Sequence, residues 1–361
     1  MSSIISLLSA DQVSNLSTTQ IASLGVKDAA AFTSTNIVGL SSSQAAYLST
    51  ADVVSISTAA LAALANATYG ATLDAISSSL SASQLSTDVI SQLETDGDLG
   101  NLATKSIAGL TTVQAAALTS TQIEALTTAQ IHVLTSKDVA ALSTTELGAL
   151  VTADLDKFSA AQIAALTSDQ VTAVAGSLSS TQVANLVATQ LTSSLLDTLN
   201  TASTLQSVST KAIAGLTTVQ AGALTSTQIE ALTTAQVRAL TSKDVAALSS
   251  TELGALGTAA IDEFSAGQIA ALTSDQVTAF SGSLSSTQVA NLVAPQLTSS
   301  LLDTLNTAST LVSVSTKAIA ALTTVQAGAL TSTQIEGLST AQIHALTSKD
   351  VAALSSTELG A

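Results

Sequence analysis

The chain contains no cysteine, no tryptophan, one proline, two tyrosines and four phenylalanines in 361 residues, and it sets nine lysines and arginines against 25 acidic residues. Each shortage excludes something. Without cysteine there are no disulfides and no thiolate metal sites, although the compartment stays open. Without large rings a bulky single core is hard to assemble, so a core of Leu, Ile, Val and Ala should be thin and regular. A formal charge of −16 repels phosphate backbones and anionic membrane surfaces, which excludes nucleic acid as a partner. Long apolar runs are also missing. Mean hydropathy is positive, yet Ser, Thr or Gln interrupts every few positions, and nothing approaches the roughly 18–20 apolar residues of a membrane span. A soluble chain with no membrane insertion is expected. The opening Met-Ser-Ser-Ile-Ile-Ser-Leu-Leu has no basic segment ahead of an apolar block, so no N-terminal secretory signal is expected.

What the chain has is repetition. From Leu110 to Leu166 one eight-residue phrase recurs: Leu, Ser/Thr, Ser/Thr, any, Gln/Asp/Glu, Ile/Val/Leu, any, Ala/Gly. Its Leu or Phe falls at 110, 118, 126, 134, 142, 150, 158 and 166. In a continuous helix eight residues turn through about 800°, so the leucines would drift by roughly 80° per octad and no face would stay apolar. A long strand fares no better, because the odd spacing of Leu126 and Ile131 sends them to opposite faces. Each octad must therefore change direction once. The hydroxyl after each leucine marks the place: Thr-Ser-Thr-Gln at 119 to 122 and Thr-Thr-Ala-Gln at 127 to 130 fit a capping box, with Asp138 or Glu146 as acidic substitutes for Gln. The expectation is a train of capped two-turn helices. Burying one Leu and one Ile or Val yields about 1.5–3 kcal/mol each, while ordering eight residues costs on the order of 1.5 kcal/mol apiece, so the helices must stack. The predicted fold class is an all-α solenoid of very short capped helices, with a β-solenoid as the rival.

A longer period lies above the octad. Leu110, Leu216 and Leu322 are each 106 residues after the last, and Ser-Lys-Asp-Val-Ala-Ala-Leu recurs at 136 to 142 and 242 to 248. Thirty-residue connectors precede each of these leucines, from Leu80, Leu186 and Leu292, and somewhat longer helices are expected there. The predicted organisation is a divergent octad array at 1–80, a first tandem unit at 81–186, a second at 187–292 and a partial third at 293–361. Because the third copy stops in mid-octad, the array is expected to continue or to be covered at that end by another molecule. Tyr47 and Tyr69 fall in or beside the divergent block, as boundary packing or a contact surface.

Candidate chemistry is sparse. His132 and His344 occupy the seventh octad position, which holds Arg238 or Glu124 elsewhere, so it reads as solvent-facing. The many Ser and Thr hydroxyls lack a base to activate them. Lys137, Lys243 and Lys349 sit beside Asp138, Asp244 and Asp350, a ladder that relieves acidic repulsion. Asp96, Asp98 and Asn101 have the two-residue spacing of a calcium loop but lack its later ligands, which makes a local turn the stronger reading and calcium a weak candidate cofactor. No other cofactor, catalytic or metal site is expected, and no enzyme.

The text Leu-Thr-x-x-Gln-Val/Ile resembles the opening of TAL effector repeats, but the period here is eight and the basic surface is absent, so no DNA binding carries over. In being Cys-free, acidic, rich in Ser, Thr and Ala and nearly duplicated, the whole chain resembles bacterial surface-layer proteins and type-I-secreted adhesins. That resemblance implies an extracellular location with an export signal at the far C-terminus. The expected function is structural or adhesive at the cell surface. Partners would be further copies, end to end or laterally, or a surface or glycan. Alternatives are a hydroxyl ladder binding glycan, ice or mineral, and an intracellular scaffold.

Overall fold

One octad shows how the rest fold. In the octad that begins at Leu232, Thr233 is extended (φ −70°, ψ 157°) and its Oγ1 accepts the Gln236 backbone N–H at 3.2 Å. The Gln236 Oε1 in turn accepts the Thr233 N–H at 2.8 Å, which completes a capping box. Helix Thr234–Ala239 follows, and Leu240 leaves it extended again (φ −58°, ψ 138°). The same sequence of states recurs through the octad trains, in which the helices run four to seven residues. Most are shorter than the expected two turns because the leucine and the hydroxyl residue after it are both extended, leaving at most six of eight positions to the coil.

The computed structural model describes residues 3–148, 150, 152–199, 202–307 and 309–360, and no strand occurs among them. The chain is an all-helical solenoid of short capped helices in two compact units, Met1–Gln182 and Val183–Ala361. In the first, Ser136–Ala141 packs against Ala160–Ala165, three helices on; in the second, Ser242–Ala247 packs against Ala266–Ala271 in the same way. The first and sixth octad positions supply the core: Ile229, Leu232, Val237, Leu240, Val245 and Leu248 are buried, as are their counterparts Ile123 to Leu142. Fully burying such a side chain yields about 1.5–3 kcal/mol, and helices this short depend on that packing. The connectors hold the longest helices, Thr87–Asp96 and Ser299–Thr307, together with 3-10 turns such as Ala188–Gln190.

The fifth-position glutamine does more than cap its own helix. Its Oε1 faces the N-terminus of that helix, and its Nε2 crosses to the turn below. Gln236 Nε2 donates to the Leu205 and Val208 carbonyls at 2.9 and 2.8 Å, and Gln268 Nε2 donates to those of Val237 and Leu240 at 3.3 and 2.8 Å. In the first unit Gln162 reaches Ile131 and Leu134 at 2.7 and 3.0 Å. One primary amide thus serves the start of one helix and the end of another, 28 and 31 residues earlier. A spacing of 28 residues is three and a half octads, which sets the winding of these trains. Gln236 and Gln268 are 1% and 2% exposed, so these hydrogen bonds lie out of water.

Where a connector helix lies below, a side chain serves as acceptor: Gln228 donates to Asp197 Oδ1 at 3.0 Å, and Gln334 donates to Asp303 Oδ1 at 2.7 Å as well as to the Ser299 carbonyl at 3.2 Å. Where the fifth residue is Asp, the bridge is lost. Asp244 Oδ2 accepts from the Thr241 N–H and Oγ1 at 2.9 and 2.6 Å, but a carboxylate has no hydrogen to offer the carbonyls of the turn below.

Two substitutions test the bridge. Gln268→Glu keeps the cap acceptor, removes the donor and brings a carboxylate towards two carbonyls; destabilisation by about 1–3 kcal/mol is expected from urea melts followed by circular dichroism. Asp244→Gln supplies the missing donor and should stabilise the second unit by about 0.5–1.5 kcal/mol; a lower melting midpoint would contradict the bridging role.

Candidate functional site

Interrupting the octad train opens three equivalent clefts. In each, a 3-10 turn (Ala82–Gln84, Ala188–Gln190 or Ala294–Gln296) lies beside a five-residue helix (Thr104–Ala108, Thr210–Ala214 or Thr316–Ala320). The turn presents its backbone and an alanine where an octad helix would present a row of side chains, so a groove remains. Its volume is about 370 Å³ in the first unit, and about 420 and 550 Å³ for the two in the second. The walls are Leu80, Ala82 and Gly109 in the first, Leu186, Ala188 and Gly215 in the second, and Leu292, Ala294 and Ala321 in the third. A Cβ on Gly109 or Gly215 would come within 2.8 or 2.9 Å of the Ala82 or Ala188 Cβ, so glycine permits the close approach of turn and helix. The third cleft, with Ala321 in that place, is the largest.

Each cleft carries one exposed lysine, Lys105, Lys211 or Lys317. Of the six other cations, two form ion pairs and four have an aspartate next to them in sequence only. Lys157 Nζ lies 2.8 Å from Asp154 Oδ1, Arg238 pairs with Glu263, and Lys27, Lys137, Lys243 and Lys349 each precede an aspartate. The three cleft lysines have no acidic residue within four positions in sequence, none among the cleft walls and no ion pair among the described residues. This contrast was present in the sequence, where absence of an acidic neighbour at Lys105, Lys211 and Lys317 is the signal that reading for motifs passed over.

The structure separates the residues singled out from sequence. His132 and His344 are exposed on the helices Thr128–Val133 and Thr340–Ala345. The lysine–aspartate ladder divides by depth: Lys137, Lys243 and Lys349 are exposed, whereas Asp138, Asp244 and Asp350 turn inward, each 2% exposed, as capping-box acceptors. Asp98 and Asn101 bracket the turn Leu99–Asn101, and the Asn101 amide donates to the Asp98 carboxylate. The Asp96 side chain lies outside the described residues. Gly97 between them is left-handed (φ 81°) and ends helix Thr87–Asp96, with its N–H on the Glu94 carbonyl and that of Asp98 on Leu93. Tyr47 is 57% exposed and Tyr69 half-buried at the start of helix Gly70–Asp74. Among the described residues no three His, Cys, Asp or Glu gather as a metal cluster, and no helix is long and apolar enough to cross a membrane.

These features define the class, an all-helical tandem-repeat protein whose unit is a capped helix bridged to the turn below. Five stretches, residues 90–128, 139–175, 202–234, 230–258 and 245–281, match the family described as the ALTTAQ repeat. Those six letters stand here as Ala231-Leu232-Thr233-Thr234-Ala235-Gln236, which contain the core leucine, the cap hydroxyl and the bridging glutamine. The chain is therefore a repeat protein with segments of this type. No curated protein matches it.

Acid in the glutamine position also has a pH signature. The Glu358 carboxyl is held below the ordinary glutamate value by the Ser355 backbone N–H and then by the Ser355 hydroxyl. A lowered value means that the ionised form stabilises the cap above the unfolded-state value, and that this contribution disappears as pH falls through the lowered one. Carboxyl ¹³C titration should place the Glu358 midpoint below that of glutamate in an unstructured peptide, and Ser355→Ala should move it upwards.

Proposed function

We propose that this is a non-enzymatic structural or adhesive repeat protein, working outside the cell and associating laterally with copies of itself. The observation that carries the reading is an exposed valine that recurs at one position of each tandem copy. Val113, Val219 and Val325 occupy the fourth octad position, 79%, 81% and 81% exposed, each 106 residues after the last. In the octads that follow, the same position holds Thr121, Ala129 and Lys137. A repeated exposed aliphatic side chain at one register suits an interface that is itself repeated, because weak contacts made at several copies act together. The amide bridges support a mechanical role, since they join successive turns by hydrogen bonds out of water. Among the described residues the exposed His132 and His344 form no ion pair, which leaves catalysis without support. The hydroxyl-ladder alternative is weakened by the caps, in which second-position hydroxyls such as Thr225 and Thr233 already accept helix N–H groups.

Sedimentation and electron microscopy of the concentrated chain test this reading. Assemblies are expected for the natural chain, and monomers for Val113→Asp/Val219→Asp/Val325→Asp with an unchanged melting curve. A natural chain that stays monomeric at every accessible concentration would remove the proposal. Protease shaving of intact host cells decides the compartment: digestion is expected, and protection would favour the intracellular scaffold.

A further inference from the structure

We infer that each connector cleft is a binding site for a single-chain aliphatic carboxylate, with its head on Lys105, Lys211 or Lys317 and its tail along the Ala/Leu floor. The inference is independent of self-association and begins with the lysines. In a chain of net charge −16, six of nine cations pair with an acid or have one next to them in sequence, and the three with neither stand on cleft rims whose walls hold no acidic residue. An exposed ammonium on an apolar wall, with no internal counter-charge, is an available partner for an anion. One ammonium per cleft matches one negative charge.

The walls narrow the chemistry further. Leu186, Ala188 and Gly215 in one cleft, and Leu292, Ala294 and Ala318 in another, offer aliphatic surface and no aromatic ring. Stacking of a base or of a sugar face is therefore unsupported, whereas an alkyl chain gains from any apolar area it covers. Volumes of about 370–550 Å³ are those of small-ligand pockets.

Long-range electrostatics select among anions. A nucleic acid, an anionic bilayer or another −16 chain meets the repulsion of the whole molecule, which grows with the charge of the approaching body. A monoanion meets little of it, and at contact the local ammonium dominates within the screening length of about 8–10 Å.

Recurrence in a changed context adds weight. Between Leu80 and Leu110 the first connector differs from the second at more than half its positions, yet Lys105 and Ala82 correspond to Lys211 and Ala188. Retention of the core residues follows from packing. The exposed lysine has no such reason. In the second unit the helices between the two clefts are stacked: Thr210–Ala214 packs on Thr234–Ala239, whose carbonyl end is bridged by Gln268 of Ala266–Ala271, and Gln296 bridges the end of that helix in turn. Helix Thr234–Ala239 stands between the helices that line the two clefts, so their ligands bind without touching.

The test is titration of the full chain with decanoate below its micelle concentration, followed by calorimetry and amide NMR. Saturation at three equivalents is expected, with shifts confined to the clefts. Lys105→Met/Lys211→Met/Lys317→Met should weaken binding about ten-fold or more, the scale of one charge-assisted contact. Lys137→Met/Lys243→Met/Lys349→Met should leave it within about two-fold, since those lysines lie outside the clefts. Ala188→Leu, which fills one groove, should reduce the stoichiometry to two with the melting curve unchanged. The inference is overturned by non-saturable uptake, by decanol binding as tightly as decanoate, by equal losses in the two lysine triples, or by binding to phosphatidylglycerol vesicles without binding to decanoate.

Discussion

A helix of five or six residues has more backbone groups unsatisfied at its ends than satisfied within it. The side-chain amide at the fifth octad position resolves that problem at both ends. Its oxygen faces the helix start on its own turn and its nitrogen faces the helix end one turn below, as Gln236 and Gln268 do. A primary amide has both an acceptor and two donors on one flat group, and Asn36 makes the same contacts from a shorter side chain, its oxygen accepting the Thr33 N–H and its nitrogen donating to the Ile5 and Leu8 carbonyls. The fold thereby converts a local capping device into its principal polar contact between turns.

That arrangement makes stability collective. No octad buries enough by itself to hold its shape, and each bridge is worth little until the turn below has formed. Folding energy is then a property of neighbouring turns. Aspartate at 138, 244 and 350 interrupts the bridging in the same place in each tandem copy, so the array alternates linked and unlinked contacts at a fixed period.

The connectors are the other interruption. Replacing an octad helix by a 3-10 turn leaves a groove on the wall, and a lysine at its edge is the cation that the acidic chain leaves without an acidic neighbour. The bridging network accommodates these breaks by changing the acceptor, with Asp197 and Asp303 standing where a backbone carbonyl would be. Periodic valines and periodic clefts thus arise from the same 106-residue duplication laid over an eight-residue rule, which is why surface features recur without any need for long-range design.

The eight-residue spacing alone was enough to exclude continuous helix and continuous strand, to locate the direction change at the hydroxyl and to place Leu and Ile/Val inside, because these consequences follow from local backbone geometry and burial. The cap partners Thr127 with Gln130 and Thr135 with Asp138 were legible for the same reason, being three residues apart. What stayed hidden was the second half of the glutamine's work, along with the clefts beside Lys105, Lys211 and Lys317. Both depend on which residues lie one turn below, for the amides 24 to 35 positions away in the chain, and that offset is decided when side chains pack, by the angle at which successive short helices meet. An octad prescribes that the chain turns; only the assembled turns decide how many octads close a circuit, and so which carbonyl meets which amide.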